Sequence, residues 1–322
     1  MARQRTAAQS ITSFADRFDA VVDNVAQVIS GKEDAIRLAL VCMVAEGHLL
    51  IEDVPGVGKT SLAKALANSI DGEYSRIQFT PDLLPSDVTG VMVYKRHNDE
   101  FEFRQGGIFA NIVLGDEINR ASPKTQSALL EAMEERQVTI DSTTYLLDTP
   151  FMVIATQNPI EHEGTYPLPE SQLDRFLMRI EMGYPDKASE IEILDHHGTS
   201  TTESVKAVVA SADIQEMAAL AATVHVAPAL KAYLVDLADA TRRHPRLALG
   251  VSPRGTLALM RAARALAASV GREFVLPDDL KALAGPVLEH RLVVTPEASM
   301  GGAGQGDLLD DVLAAVPVPT AR

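Results

Sequence analysis

The 322 residues contain no tryptophan, a single cysteine and only 5% aromatic residues. One thiol makes no internal disulfide, which excludes a cross-linked secreted scaffold. Cys42 lies in an apolar helical run and reads as a buried, inert side chain. Long hydrophobic runs are also missing. The longest near the N-terminus, Leu38 to Ala45, is flanked by Arg37, Glu46 and His48 and is far short of the roughly 20 residues a spanning helix needs. Polar Thr12, Ser13 and Asp16 interrupt the segment after Arg3 and Arg5, so no export signal is expected. The expectation is a cytoplasmic protein without membrane insertion. Basic residues are scarce, and 29 Lys and Arg against 44 Asp and Glu leave a net charge of −15. That balance repels phosphate backbones and counts against nucleic acid as a partner. The densest basic cluster, Arg242, Arg243, His244 and Arg246, follows the periodic Leu230, Leu234 and Leu237. Cations suit the dipole at that helix end.

What the chain does have is a 46% hydrophobic content laid out in two periods. Phe14, Phe18, Val21, Val22, Val25 and Ile29 recur at helical spacing, ended by Ser30-Gly31, and a second helix is expected from Lys32 to Glu46. "HLLIE", "YSRIQFT", "NIVLG", "FMVIAT" and "FLMRIEM" read as five strands, with helices over Lys59 to Ile70 and Thr125 to Met133 between them. This alternation predicts an α/β fold with a parallel sheet flanked by helices. Two stretches break it: Val91 to Gln105, around Asn98-Asp99, and Arg136 to Thr149, around Asp141-Ser142, each read as an inserted hairpin. After Gly183 to Lys187 only alanine- and leucine-rich helical segments follow. The expected division is an α/β domain over 1–184, an all-helical domain over 185–300 and a flexible tail over 301–322, opened by "GGAGQG". Adjacent His196 and His197 would point about 100° apart on a helix and are given no metal.

"EDVPGVGKT", Glu52 to Thr60, nearly matches the phosphate loop G-x-x-x-x-G-K-[ST], with Asp53 at the place of the first glycine. Gly56, Val57 and Gly58 would wrap backbone N–H groups around an anion at the start of a helix. Lys59 would add a charge for the outer phosphates, and Ser61 would complete the first turn. Thr60 offers a hydroxyl to Mg²⁺. A carboxylate about 8 Å from a phosphate charge would cost about 2 kcal/mol at an effective dielectric near 20, so Asp53 is expected to face away from the nucleotide. "NIVLGDEINR" ends an apolar strand in Asp116 and Glu117, two carboxylates for the same sheet edge: Asp116 for the Mg²⁺ shell, Glu117 for the attacking water. After "FMVIAT" stand Gln157 and Asn158, where an amide could orient that water. Ser252, Pro253 and Arg254 make a helix start in which Arg254 is misplaced for the dipole unless an anion lies opposite.

The strings "FTPDLLPSDVTG", "GDEINRASPKTQSALLEAMEERQVTI" and "ATQNPIEHEGTYPLPESQLDRF" resemble a MoxR-type AAA+ ATPase, over roughly Val28 to Leu292. Gly107, Gly115 and Ser122 stand where Pro, Ala and Pro are expected, outside the proposed chemistry. The resemblance implies a RecA-like five-stranded core with hairpin insertions, a C-terminal helical lid, ATP and Mg²⁺ as ligands, and a ring, usually hexameric. It makes Asn158 a first sensor, Arg175 an arginine finger acting on a neighbouring subunit's nucleotide, and Arg254 a second sensor. The partners it implies are proteins with von Willebrand factor A domains, and the outcome is remodelling, activation or metal loading of a client. Other readings are a nucleotide-switched scaffold with slow turnover, a chelatase-type subunit and a nucleic-acid motor.

Overall fold

The computed structural model describes residues 2–97, 99–159, 164–195, 202 and 205–319. His196 and His197 lie outside them, as does Asn98 of the first hairpin turn. In chain order the elements are α1 (Ala2–Ala26), α2 (Glu33–Val44), β1 (Leu49–Glu52), α3 (Lys59–Ser69), β2 (Tyr74–Gln78), α4 (Pro85–Thr89), β3 (Gly90–Lys95), β4 (Glu100–Gln105), β5 (Ile112–Asp116), α5 (Pro123–Glu135), β6 (Gln137–Ile140), β7 (Thr143–Leu146) and β8 (Met152–Gln157). They continue with α6 (Glu170–Leu173), β9 (Met178–Ile180), α7 (Lys187–Asp195), α8 (Ser211–Thr223), α9 (Pro228–Arg243), β10 (Leu247–Leu249), α10 (Pro253–Ser269), α11 (Pro277–Leu288), β11 (Val293–Val294), α12 (Pro296–Met300) and α13 (Gln305–Ala315).

Five strands form one sheet in the order β2-β5-β8-β1-β9. The pairs β1/β8, β5/β8 and β2/β5 are parallel, with Leu49 opposite Ile154, Leu114 opposite Ile154 and Arg76 opposite Leu114. Because the central strands are covered on both faces, they read as unbroken apolar runs, and Leu49, Leu50, Ile51, Val113, Leu114, Ile154 and Ala155 are fully buried. β1 lies between β8 and β9, so the chain switches direction across the sheet there, and strand ends at such a point open a crevice for a ligand. β3/β4 and β6/β7 pair antiparallel, as the two hairpin patterns predict.

The chain divides into two compact units, and the division is not sequential. One comprises Ala20–Leu168 and Ile180–Gln215, and the other Met1–Asp19, Pro169–Arg179 and Glu216–Arg322. The boundaries read from sequence, 184 and 300, followed the change from strand to helix patterns, which does not reveal that residues 1–19 and 169–179 belong with the C-terminal helices. The first helix likewise starts at Ala2, well before the apolar periodicity that announced it.

The flexible tail is corrected. Residues 305–315 are helical, and Leu308, Leu309 and Val312 are buried. Burying such side chains contributes about 1.5–3 kcal/mol each toward docking this helix. Gly304 N–H donates to Asp307 Oδ2 at 2.9 Å, Gln305 Nε2 to the Leu292 carbonyl at 2.6 Å, and Arg246 pairs with Asp311. The glycines opening this segment make a tight turn into a docked helix.

Candidate nucleotide site

β1 runs into the glycine loop, and there Gly56 and Gly58 adopt φ of 90° and 97°. A Cβ at Gly56 would meet nothing within 4 Å, so glycine is required by backbone conformation and not by space. Gly58 precedes α3, whose N-terminus carries no side-chain cap and no acid in its first turn. Lys59, Thr60 and Ser61 begin the helix and line a cavity of about 440 Å³ together with Pro55, Gly56 and Gly58. An uncapped helix start beside two positive-φ glycines is a cradle for an anion. Lys59 Nζ donates to the Asp53 carbonyl at 2.7 Å. Burial lowers the Lys59 pKa, and Asp53, Asp116 and Glu117 oppose that shift.

Asp53 faces away from the cavity. Its Oδ1 accepts from the Val54 N–H at 2.8 Å, and its Oδ2 from the N–H groups of Met182 at 2.8 Å and Gly183 at 2.5 Å. The carboxylate at the missing glycine's place therefore ties the loop to the segment leaving β9.

Asp116 and Glu117 arrive in the same cavity from the end of β5, and Asn158 from just beyond β8. Thr156, almost fully buried, joins the two acids. Its hydroxyl donates to Asp116 Oδ1 at 2.7 Å and accepts from the Glu117 N–H at 2.9 Å. That second bond helps hold Glu117 in the left-handed region, φ 57° and ψ 51°, a conformation that costs a non-glycine residue on the order of 1–2 kcal/mol. Arg76 on β2 donates to Asp116 Oδ2 at 2.6 Å and to Gln78 Oε1 at 2.7 Å. Gln78 Nε2 in turn donates to Glu117 Oε2 at 3.0 Å, and Arg120 Nε pairs with the same oxygen at 3.1 Å. The hydrogen bond to Asp116 raises the Arg76 pKa.

Of the residues read from sequence, Gly56, Gly58, Lys59, Thr60, Ser61, Asp116, Glu117 and Asn158 line this one cavity. Val57 is buried and is not part of the lining. Arg175, after α6, and Arg254, in the first turn of α10, belong to the other unit. Arg76, Gln78, Arg120 and the bridging role of Thr156 were missed. Alternation around buried Ile77 puts Arg76 and Gln78 on one side of "YSRIQFT", but only the strand order reveals that this side borders β5.

Thr60 and Asp116 are oxygen donors in one cavity and suit Mg²⁺, an ion that keeps several waters and takes few protein ligands beside phosphate. Among the described residues no group of three or more His, Cys, Asp or Glu is placed to hold a metal by itself. No helix among the described residues is long and apolar enough to cross a membrane.

Two family models match the chain: the ATPase family associated with various cellular activities (AAA) over residues 48–178, and the AAA lid domain over residues 239–312. The chain is 50% identical over 302 residues to the uncharacterized protein YeaC of Bacillus subtilis, covering 94% of each. It is 40% identical over 321 residues to the chaperone MoxR1 of Mycobacterium tuberculosis, covering 97% of this chain and 85% of that one. The crystal structure of a candidate ATPase from Cytophaga hutchinsonii superposes with a TM-score of 0.93 at 38% identity, over 99% of this chain and 100% of the other.

Proposed function

The chain belongs to the MoxR-type AAA+ ATPases, and from that premise we propose that it hydrolyses ATP and uses the turnover to remodel a client protein complex. The observation that carries the reading is the convergence of the glycine loop, Lys59, Asp116, Glu117 and Asn158 on one cavity at the carboxyl edge of the parallel sheet. The loop amides and Lys59 hold the β- and γ-phosphates. Thr60 and Asp116 would hold Mg²⁺, which would supply charge neutralisation on the phosphate oxygens. The Glu117 carboxylate takes a proton from the attacking water, and the Asn158 amide orients that water for in-line attack. Glu117 must first give up its contacts with Gln78 and Arg120, and Asp116 its contact with Arg76. Arg254 adds positive charge to the same phosphates, and Arg175 serves the nucleotide of a neighbouring copy, which calls for a homo-oligomeric ring, hexameric by resemblance.

ATP as substrate makes the cytoplasm the site of action. The chaperone name of the Mycobacterium tuberculosis relative supports a client-directed role. The family resemblance supports a client or adaptor with a von Willebrand factor A domain, and assembly, activation or metal loading as the outcome. A slowly turning nucleotide-switched scaffold is favoured by one observation, the two side chains tied to Glu117. A partner that raises the ATPase rate would exclude it.

Glu117→Gln tests the reading. The purified variant should bind ATP with unchanged affinity and hydrolyse it about 10²- to 10⁴-fold more slowly, the usual contribution of a general base. Full hydrolysis by this variant would remove Glu117 from the mechanism.

A further inference from the structure

Arg175 and Arg254 are far apart in sequence yet belong to one unit, and a single buried guanidinium is bonded to the backbone on either side of Arg175 and reaches the segment that carries Arg254 through Asp174. The side chain of Arg291 is 3% exposed. Its Nε donates to Asp174 Oδ1 at 2.7 Å. Its Nη2 donates to the carbonyls of Asp174 at 3.4 Å and Phe176 at 2.6 Å, the residues on either side of Arg175. Its Nη1 donates to the carbonyls of Leu177, at 3.3 Å, and Val287. The other Asp174 oxygen, Oδ2, accepts from the Ser252 hydroxyl at 3.0 Å. Ser252 caps α10 by accepting from the Gly255 N–H at 3.1 Å, and Arg254 stands between them. Gly255 also lies directly on Arg291, since a Cβ there would come within 2.8 Å of Arg291 Cδ. The start of α10 thus meets Arg291 twice, through Asp174 and Ser252 and by direct packing.

We propose that Arg291, through its pair with Asp174, is a positioning residue that holds Arg175 and Arg254 in one fixed relation, so that both engage nucleotide together. The proposal rests on the roles given to those two arginines above. A guanidinium suits the task because its planar fork reaches two carbonyls and a carboxylate at once, whereas an ammonium is a point charge. A displacement of about 1 Å in a group that must meet a transition state costs on the order of 10²-fold in rate.

The experiment uses the full chain and ATP with Mg²⁺, measuring kcat, KM, nucleotide affinity and thermal melting for Arg291→Lys, Ser252→Ala, Arg175→Ala and Arg254→Ala. Arg291→Lys keeps a charge for Asp174 and loses the paired carbonyl contacts. The expected result is a drop in kcat of about tenfold or more, with KM and nucleotide affinity within about twofold and a cooperative melt retained. A residue that acts through Arg175 loses that route once Arg175 is gone. Arg291→Lys should therefore cost less rate in the Arg175→Ala background than it does alone, because only Arg254 is left to misplace, and Ser252→Ala should cost nothing further in the Arg254→Ala background. Should Arg291→Lys fail to fold, the milder Ser252→Ala decides, with an expected fall in kcat of about threefold or more. An unchanged kcat in a folded Arg291→Lys, or losses that simply multiply in the double variants, would overturn the positioning role. If Arg175→Ala and Arg254→Ala themselves leave hydrolysis unchanged, the roles assigned above fail and the inference falls with them. If those two matter and Arg291→Lys does not, only the inference falls.

Discussion

Each unit contains an aspartate paired with an arginine, and the two pairs have almost the same length. Arg76 and Asp116 meet at 2.6 Å with side chains 49% and 16% exposed, while Arg291 and Asp174 meet at 2.7 Å with side chains 3% and 22% exposed. Water, not distance, separates them. An exposed ion pair contributes about 0–1 kcal/mol, whereas breaking a buried one by removing a partner costs about 3–5 kcal/mol. The pair at the strand ends can therefore be exchanged for metal and phosphate at little cost. The pair that links the Arg175 and Arg254 segments is expected to persist through the nucleotide cycle. The nucleotide cavity is built from replaceable contacts, and the frame carrying the two arginines from permanent ones.

The comparison breaks if the buried pair proves dispensable. Arg291→Met removes the charge, leaves Asp174 without its partner, and strips three main-chain carbonyls beyond Asp174's own of a donor. The expected loss in unfolding free energy is about 3–5 kcal/mol, read from urea denaturation of the purified chain. A loss below about 1 kcal/mol would place this pair in the same class as the exposed one.

These differences also separate what sequence could reveal from what it could not. The glycine loop, Asp116 and Glu117 were legible because each follows an apolar strand, and parallel strands deliver their ends to one edge. The central strands were legible through their unbroken apolar runs. Arg76 and Gln78 were not, because their function depends on β2 lying beside β5, and that neighbourhood is long-range. Arg291 was hidden more deeply. It lies in "LEHRL", which reads as an ordinary helix end, and its partners Asp174 and Phe176 are more than a hundred residues away. The docked α13 was missed because glycine-rich composition signals a turn and a linker equally.

A second consequence of burial concerns His290, the neighbour of Arg291. Burial first, and then the charges of Arg291 and Arg179, push its pKa well below the ordinary 6.5. The neutral ring accepts from Arg291 Nη1 at 2.8 Å. In the unfolded chain the ring takes up a proton near pH 6.5, while the folded protein resists it. Below that pH the unfolded state binds more protons, so stability falls as pH falls, by at most about 1.4 kcal/mol per pH unit for one group. Between pH 7.5 and 5.5 the wild type should lose about 1.4 kcal/mol more unfolding free energy than His290→Gln. Equal losses would mean that this ring titrates freely in the fold.

The smallest expected effect belongs to the exposed pair, and it sharpens the contrast through salt. Arg76→Met leaves Asp116 with the Thr156 hydroxyl and access to water, so unfolding free energy should change by less than about 1 kcal/mol. Whatever difference exists at low ionic strength should shrink as salt rises, because a Debye length of about 10 Å at 0.1 M falls to about 3 Å at 1 M and screens charges that water can reach. The Arg291→Met difference should change less over the same range, since the Arg291 side chain is only 3% exposed. Unfolding curves of both variants and the wild type at the two salt concentrations read this directly. A salt-insensitive Arg76 or a salt-sensitive Arg291 would show that exposure does not separate the exchangeable pair from the permanent one.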